Sequence, residues 1–413
     1  MNLMLFLCGN GYYKSRTMSA NILVLTSIYP ASDISAKQTA VVHYFCREWV
    51  RMGYNVRVVY YATNFPTLYY SVAKPFSRTI ESYVGYDIRT APCDNREYEM
   101  DGVLVKRIGI KKRIPHSLFP RKQISLATIQ TIDYCKETGF IPDIIIGHWP
   151  NPQLEIMQAL KSVFNCRTCY VSHGDSVFQL YKQKSYDLLN AVDIIGFRNE
   201  LVKQRFQKEI PLNKPSFLCY SGVPEVFLEN RPKKDFSNIQ DFIFVGSLIQ
   251  RKYPSKIIDA LTKAYETEKF TLRYIGEGAE RTSIEKKAKS LGVNGAIELF
   301  GNVERKEVIA HLDKSQVFVM ISKREAFGLV YLEAMARGLI TIASRNESFD
   351  GIIKDGENGF LCEAGNVEEL SRIISRIRAM SDEELQTISR NAIATAELYT
   401  DSKVAKAYIE AIE

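Results

Sequence analysis

The chain has 413 residues, 46% of them hydrophobic and 24% charged, with a formal net charge of +7. That length suits two domains of roughly 100 to 200 residues each, and the balance is that of a folded globular protein, which excludes disordered and collagen-like classes. The positive charge is confined to the first half: Met1 to Gly222 holds 27 Lys plus Arg against 17 Asp plus Glu, a net of +10, and the remainder is acidic by 3.

The N-terminal stretch MNLMLFLCGNGYYKSRTM has a short apolar patch with no basic residue ahead of it and no small-residue cleavage site. No secretory signal is expected, and residues 1–18 read as an extension. From Asn21 the pattern is strand, loop, helix, strand: NILVLTS, YPASDISAKQT, AVVHYFCREWVRMG, YNVRVVYY. Gly53 suits a left-handed helix end, and the unit reads as a parallel crossover.

A basic segment follows, KRIGIKKRIPHSLFPRKQ, inside a span from Gly102 to Ile132 that contains no acid. Lys106, Arg107, Lys111, Lys112, Arg113, Arg121 and Lys122, with Ile114, Leu118 and Phe119 among them, are expected to form either a solvated charged face or a patch for an anionic membrane surface. No nucleic-acid motif accompanies them, so nucleic acid is not an expected partner. DIIIGHW, CRTCYVSHG and AVDIIGFR then read as buried parallel strands, which place ligands at their carboxyl ends; His148 and His173 are therefore candidates for one cleft. The CxxC of Cys166 and Cys169 lies in such a strand without a second ligand pair, and eight scattered cysteines suit a reducing, cytoplasmic compartment.

PEVFLENRPKKDFSNIQ, polar and turn-rich, reads as a linker. A second alternating series begins at DFIFVGSL and runs through KIIDALTKAYE, FTLRYIGEG, IELFGN, QVFVMIS, LVYLEAMARG and LITIAS to VEELSRIISRIRAM. The expected fold is α/β: two doubly wound Rossmann-like domains, residues 19–222 and 223–396, facing each other across a cleft.

In REAFGLVYLEAMARG, Glu325 and Glu333 are eight positions apart, about 12 Å if they shared one helix, too far for a general acid/base pair. Glu325 instead falls in the loop after QVFVMIS, and the free backbone N–H groups of Phe327, Gly328, Leu329 and Val330 open the next helix as an anion site. Glu333 lies about a turn further in. A carboxylate, an anion site and a second carboxylate in a row fit a sugar, a diphosphate and a ribose, whose cis-diol matches an acceptor-only partner.

EAFGLVYLEAMARG resembles the two-glutamate motif of the retaining family 4 glycosyltransferases, which share the GT-B fold. SIYP, HWPNP, SHGD, YSGV with Phe227, FVGSLIQRK, IGEG, LFGNV and DGENGFL stand in the order that family shows, and YTDSKVAKAYIEAI is similar to its last helix, which crosses back onto the N-terminal domain (residues 397–413 here). The resemblance implies a nucleotide-sugar donor, with Lys252 on its diphosphate, Arg251 as a second cation, Val303 at the nucleobase, Glu325 on the sugar hydroxyls and Glu333 on the ribose. It implies His173 as a cleft histidine near the donor sugar, with Asp175 and His148 on the acceptor side, and the leaving phosphate as the group that takes the acceptor proton. The sequence has no Asp-x-Asp pair, in keeping with the metal-independent, cofactor-free chemistry the family implies. It departs from the family in the loop DISAKQTA, where glycine is common and would let the backbone approach a phosphate more closely: Ala36 stands there, and either Lys37 substitutes a charge for that contact or the site is weakened. It departs also at Ser247 and Ser221, where arginine and asparagine are common.

The expectation is a cytoplasmic glycosyltransferase at the inner face of the cytoplasmic membrane, moving a sugar from a nucleotide donor to a saccharide acceptor, with the basic patch pointing to a lipid-linked one. The departures favour one rival, a degenerate subunit that binds a nucleotide sugar or a partner enzyme. A second rival, an epimerase or oxidoreductase, needs GxGxxG in the first βα unit, and GEGAER supplies only two glycines in the wrong place.

Overall fold

The computed structural model describes residues 20–33, 40–84, 88–114, 117–174, 185–210, 212–325 and 327–413. Ala36, Lys37 and Asp175 lie outside them. The strands are β1 (Asn21–Thr26), β2 (Asn55–Asn64), β3 (Arg96–Met100), β4 (Val103–Lys111), β5 (Ile144–His148), β6 (Arg167–Ser172), β7 (Ile194–Phe197) and β8 (Ser216–Leu218) in the first half. The second half holds β9 (Asp241–Val245), β10 (Thr271–Ile275), β11 (Ile297–Gly301), β12 (Val317–Val319), β13 (Ile340–Ser344) and β14 (Phe360–Cys362). They form two sheets, ordered β3-β4-β2-β1-β5-β6-β7-β8 and β11-β10-β9-β12-β13-β14. All pairings between them are parallel except the β3–β4 hairpin.

Burial explains the strands. Ile22 to Leu25, Ile144 to Ile146 and Phe242 to Phe244 are all buried, because helices cover both faces of a parallel sheet and leave no solvent side for a polar residue. Helix Val41–Arg51 ends as expected, with Gly53 in the left-handed region at φ 94°. In each doubly wound sheet the chain reverses its winding at one place, between β1 and β5 and between β9 and β12. Loops leave opposite ways at such switch points and open a crevice at the strands' carboxyl ends. These are the two doubly wound sheets expected from the sequence.

The segment read as a linker is packed. Phe227, Phe236 and Ile239 are buried in the second core, and the Lys234 amine donates to the carbonyls of Leu312, Asp313 and Ser315, where helix Arg305–Asp313 ends. A buried ammonium is sustained there because three carbonyl acceptors replace water.

The chain crosses between the halves twice. Val223 N–H donates to the Tyr399 carbonyl at 2.8 Å and Asp401 N–H to the Val223 carbonyl at 3.0 Å, so the two crossings are stitched side by side. The last helix, Asp401–Ile412, then packs on helix Val41–Arg51: the Trp49 indole N–H donates to the Ala405 carbonyl, and Tyr408 meets the rings of Phe45, Trp49 and Phe217. Gly222 is required at this seam, since a Cβ there would lie 2.5 Å from both Cα and N of Asp401. Gly222→Ala is expected to cost about 1 to 3 kcal/mol, the usual penalty of overpacking, read as a lower urea midpoint. An unchanged midpoint would show that the seam yields.

Candidate functional site

The switch points of the two sheets carry the candidate residues. After β9 the backbone turns at Gly246, whose φ of 144° and missing Cβ leave room for Lys252: an added Cβ would stand 2.8 Å from the Lys252 amine. Lys252 is buried, and its amine lies 3.7 Å from Glu325 Oε2, which also accepts from Arg251 Nη1 at 3.0 Å. Burial lowers the Lys252 amine from its ordinary range while Glu325 pulls it back up.

The loop that presents Glu325 is held from several sides. Lys323 N–H donates to the Arg251 carbonyl, and Arg324, in the left-handed region at φ 57°, donates its N–H to Glu347. Gly328 follows at φ 82°, where a Cβ would run into the Tyr331 ring at 2.6 Å and approach Glu325 Cγ at 3.2 Å. Helix Leu329–Ala336 starts there; Tyr331 N–H donates to the Gly328 carbonyl at 3.1 Å, and the amides ahead of it have no carbonyl of their own helix to bond.

Glu333 is the one charged residue in that helix, LVYLEAMA, which is buried from Tyr331 to Ala336. At 8% exposure a carboxylate needs a partner, and Arg305 Nη2 supplies it. Arg305 Nη1 also donates to the Tyr44 hydroxyl at 2.7 Å, from helix Val41–Arg51 of the first half, and the guanidinium lies 5.3 Å from the Tyr44 ring and 5.4 Å from the Phe227 ring. One side chain therefore ties Glu333 to the opposite half. Val303, half-buried, follows β11 and stands just ahead of Arg305 in the chain.

In the first half, β5 and β6 end side by side and bring their histidines together. His148 Nδ1 and His173 Nε2 are 2.9 Å apart, so one ring donates to the other, and His148 Nε2 is 3.5 Å from the Tyr408 hydroxyl of the last helix. Trp149 stacks on His173 at 4.1 Å with ring planes 14° apart, and its own backbone is in the left-handed region at φ 68°, an outlier for a bulky residue. Burial, with the Arg198 charge behind it, pushes the His148 imidazole down to about 3; burial, then His148 and Arg198, holds His173 well below its ordinary range. The pair is neutral and exchanges hydrogen bonds rather than charge. Arg198, itself buried, donates to Ser221 and lies 5.5 Å from the ring of Phe327, so it links the end of β7 to the segment that opens helix Leu329–Ala336.

The residues predicted for the donor site, Arg251, Lys252, Glu325, Phe327, Gly328, Leu329 and Glu333, line one run of structure. His148 and His173 meet at the other side. Part of the predicted basic patch does not hold. Arg107 is fully buried between β2 and β3, bonded to Asp33 and Asp94, because its position on β4 points into the sheet's own packing. Phe119 is 4% exposed and sits in the core beneath the Lys112 amine, 4.2 Å from the ring. Lys106 is paired with Glu97. Lys111, Arg113, Arg121 and Lys122 are exposed. Sequence reasoning missed Arg305, Arg198, Trp149 and Tyr408; the arginine in GFRNE, just past an apolar strand, and the tryptophan in HWPNP were the available signals.

Residues 227–395 match the family described as Glycosyl transferases group 1. The lipopolysaccharide core biosynthesis glycosyltransferase LpsE of Rhizobium meliloti (strain 1021) is 27% identical over 248 residues, which is 60% of this chain and 68% of that protein. Alpha-monoglucosyldiacylglycerol synthase of Acholeplasma laidlawii is 31% identical over 180 residues, 42% of this chain and 44% of that one. Among solved structures, Anabaena Alr3699/HepE in complex with UDP and glucose superposes with a TM-score of 0.66 at 15% identity, covering 95% of this chain and 99% of its own.

The His148 shift has a definite sign. Unfolded, the ring takes a proton near pH 6.5, and in the fold not until about 3, so stability falls as pH drops below 6.5. Between pH 7 and 5 this costs about 2 kcal/mol, at about 1.4 kcal/mol per pH unit below 6.5. His148→Gln should remove that part of the loss, measured by urea unfolding at the two pH values. Equal losses in both proteins would show His148 protonated in the fold.

Proposed function

Given that residues 227–395 match the family described as Glycosyl transferases group 1, we propose that the chain transfers a sugar, with retention of configuration, from a nucleotide-sugar donor to a lipid-linked saccharide. The observation that carries this is the row of Glu325 between Arg251 and Lys252, the open first turn of helix Leu329–Ala336, and Glu333. In the reading we propose, the donor diphosphate displaces Glu325 from the two cations and takes up the helix amides, and Glu325 turns to the sugar hydroxyls. Glu333 accepts from the ribose once Arg305 yields, and the backbone near Val303 borders the base. As the diphosphate departs, negative charge builds on its oxygens, and fixed cations and amides already aimed at that position stabilise it without a metal or cofactor. The leaving oxygen takes the acceptor proton. Neutral His173, braced by His148 and Trp149, positions hydroxyls in the cleft by hydrogen bonding.

The acceptor class rests on other support. Two relatives are named for lipopolysaccharide core and glucosyldiacylglycerol synthesis, and cations stay exposed along residues 111–122. Among the described residues no helix is long and apolar enough to cross a membrane. The location we propose for the reaction is the cytoplasmic face of the membrane, with the chain held there through its exposed cations.

The test is incubation with each common sugar nucleotide, without acceptor or added metal, following slow release of nucleoside diphosphate. One donor should be hydrolysed, and Glu325→Ala and Lys252→Ala should each slow release about 100-fold or more. Tight nucleotide binding with no turnover, even with lipid-linked saccharides supplied, would replace the enzyme by a nucleotide-binding subunit.

A further inference from the structure

Helix Thr67–Val84 leaves an apolar stripe uncovered. Leu68 is 75% exposed, Val72 58%, Phe76 59% and Ile80 36%. Residues spaced by four lie in one band along a helix, here about 120° wide over the three steps. The opposite side is anchored: Tyr70 and Ala73 are buried, and the Tyr70 hydroxyl accepts from Phe65 N–H. Soluble surfaces scatter such side chains singly; a row of four on one face marks a docking surface.

What lies beside the stripe identifies its partner. β2 feeds the helix, and its last residue, Asn64, pairs with Lys111 at the end of β4; Lys112 N–H donates to the Asn64 carbonyl at 2.8 Å. The helix and the turn holding Lys111 and Arg113 therefore leave the sheet side by side. That turn adds Ile114, 64% exposed, and the acid-free span continues through Arg121 and Lys122. From there a cavity of about 740 Å³, walled by Leu118, Ile124, Ile129 and Leu188, reaches Asn151, two residues past Trp149. Apolar side chains in a row beside Lys111 and Arg113, which pair with no acid among the described residues, complement an anionic headgroup layer over acyl chains, not a neutral or basic protein face.

We propose that helix Thr67–Val84 lies flat in the surface of an anionic phospholipid bilayer, with Leu68, Val72, Phe76 and Ile80 below the headgroups and Lys111 and Arg113 on lipid phosphates. This deepens, and rests on, the lipid-linked acceptor proposed above. The bilayer contact holds the histidine cleft next to the layer that supplies the acceptor.

The full chain is mixed with phosphatidylglycerol/phosphatidylcholine vesicles and with phosphatidylcholine vesicles, and sedimented at low and high salt. Binding should require the anionic lipid and weaken with salt. Val72→Glu/Phe76→Glu should weaken it at least tenfold while acceptor-free donor hydrolysis and circular dichroism stay unchanged. In a Phe76→Trp variant, the added tryptophan emission should shift to the blue on vesicles and be quenched by brominated acyl chains. Vesicle binding with no blue shift in the Phe76→Trp variant, or undiminished binding by the double glutamate variant, overturns the insertion and leaves the acceptor reading standing. A dimer in sedimentation velocity that the double variant abolishes overturns it in favour of a second copy. Failure of the acceptor reading shows separately, as no transfer to lipid-linked saccharide in detergent, where no bilayer is needed.

Discussion

The seam at Val223 and Thr400 is the constraint on which the cleft depends. Two chain crossings, held together by paired backbone hydrogen bonds, join the halves there, with Gly222 packed against Asp401 beside them. The helix that follows spends its apolar face on the first half, and Arg47 pairs with buried Asp401 at 2.9 Å. Burial, opposed by Arg47 and Arg305, raises that carboxyl to about 6, so charge, packing and backbone pairing converge on the same few residues. Through Tyr408 the helix also touches His148, so the element that closes the fold borders the histidine pair.

Around the cleft, charges that burial would otherwise penalise are paired with one another. Glu325 satisfies Arg251 and Lys252, and Glu333 satisfies Arg305. Desolvating a lone carboxylate or ammonium costs several kcal/mol, and these pairings offset that cost in the cleft. On the function proposed here, a donor does not create a charged site but exchanges partners within one. Arg305 adds a coupling, because the side chain that must release Glu333 also holds Tyr44 across the cleft.

Much of this was legible because it is local. Unbroken apolar runs such as IIIGH and FIFV mark strands buried on both faces, and the order of strand and helix then dictates a parallel, doubly wound sheet. Glu325 and Glu333 were legible since a carboxylate in a strand-end loop and another in an otherwise apolar helix are both costly unless used. The misreadings share a cause, which is that each depends on a partner far along the chain. Arg107 looked like one more surface cation until Asp33, 74 positions away, neutralised it. The polar string around Phe227, Phe236 and Ile239 hid core residues because their neighbours face solvent and no period links them. Arg305 draws its meaning from Tyr44, and Tyr408 from His148, 261 and 260 positions away. No window along the sequence holds both members of such a pair.

The most direct test is a crystal structure of the chain with a nucleoside diphosphate bound. Phosphates are expected on Lys252, Arg251 and the first-turn amides of helix Leu329–Ala336, the ribose hydroxyls on Glu333, and Arg305 moved off that carboxylate. A nucleotide bound elsewhere, or one seated in the cleft with the Arg305–Glu333 pair intact, would contradict the exchange of partners on which the proposed function rests.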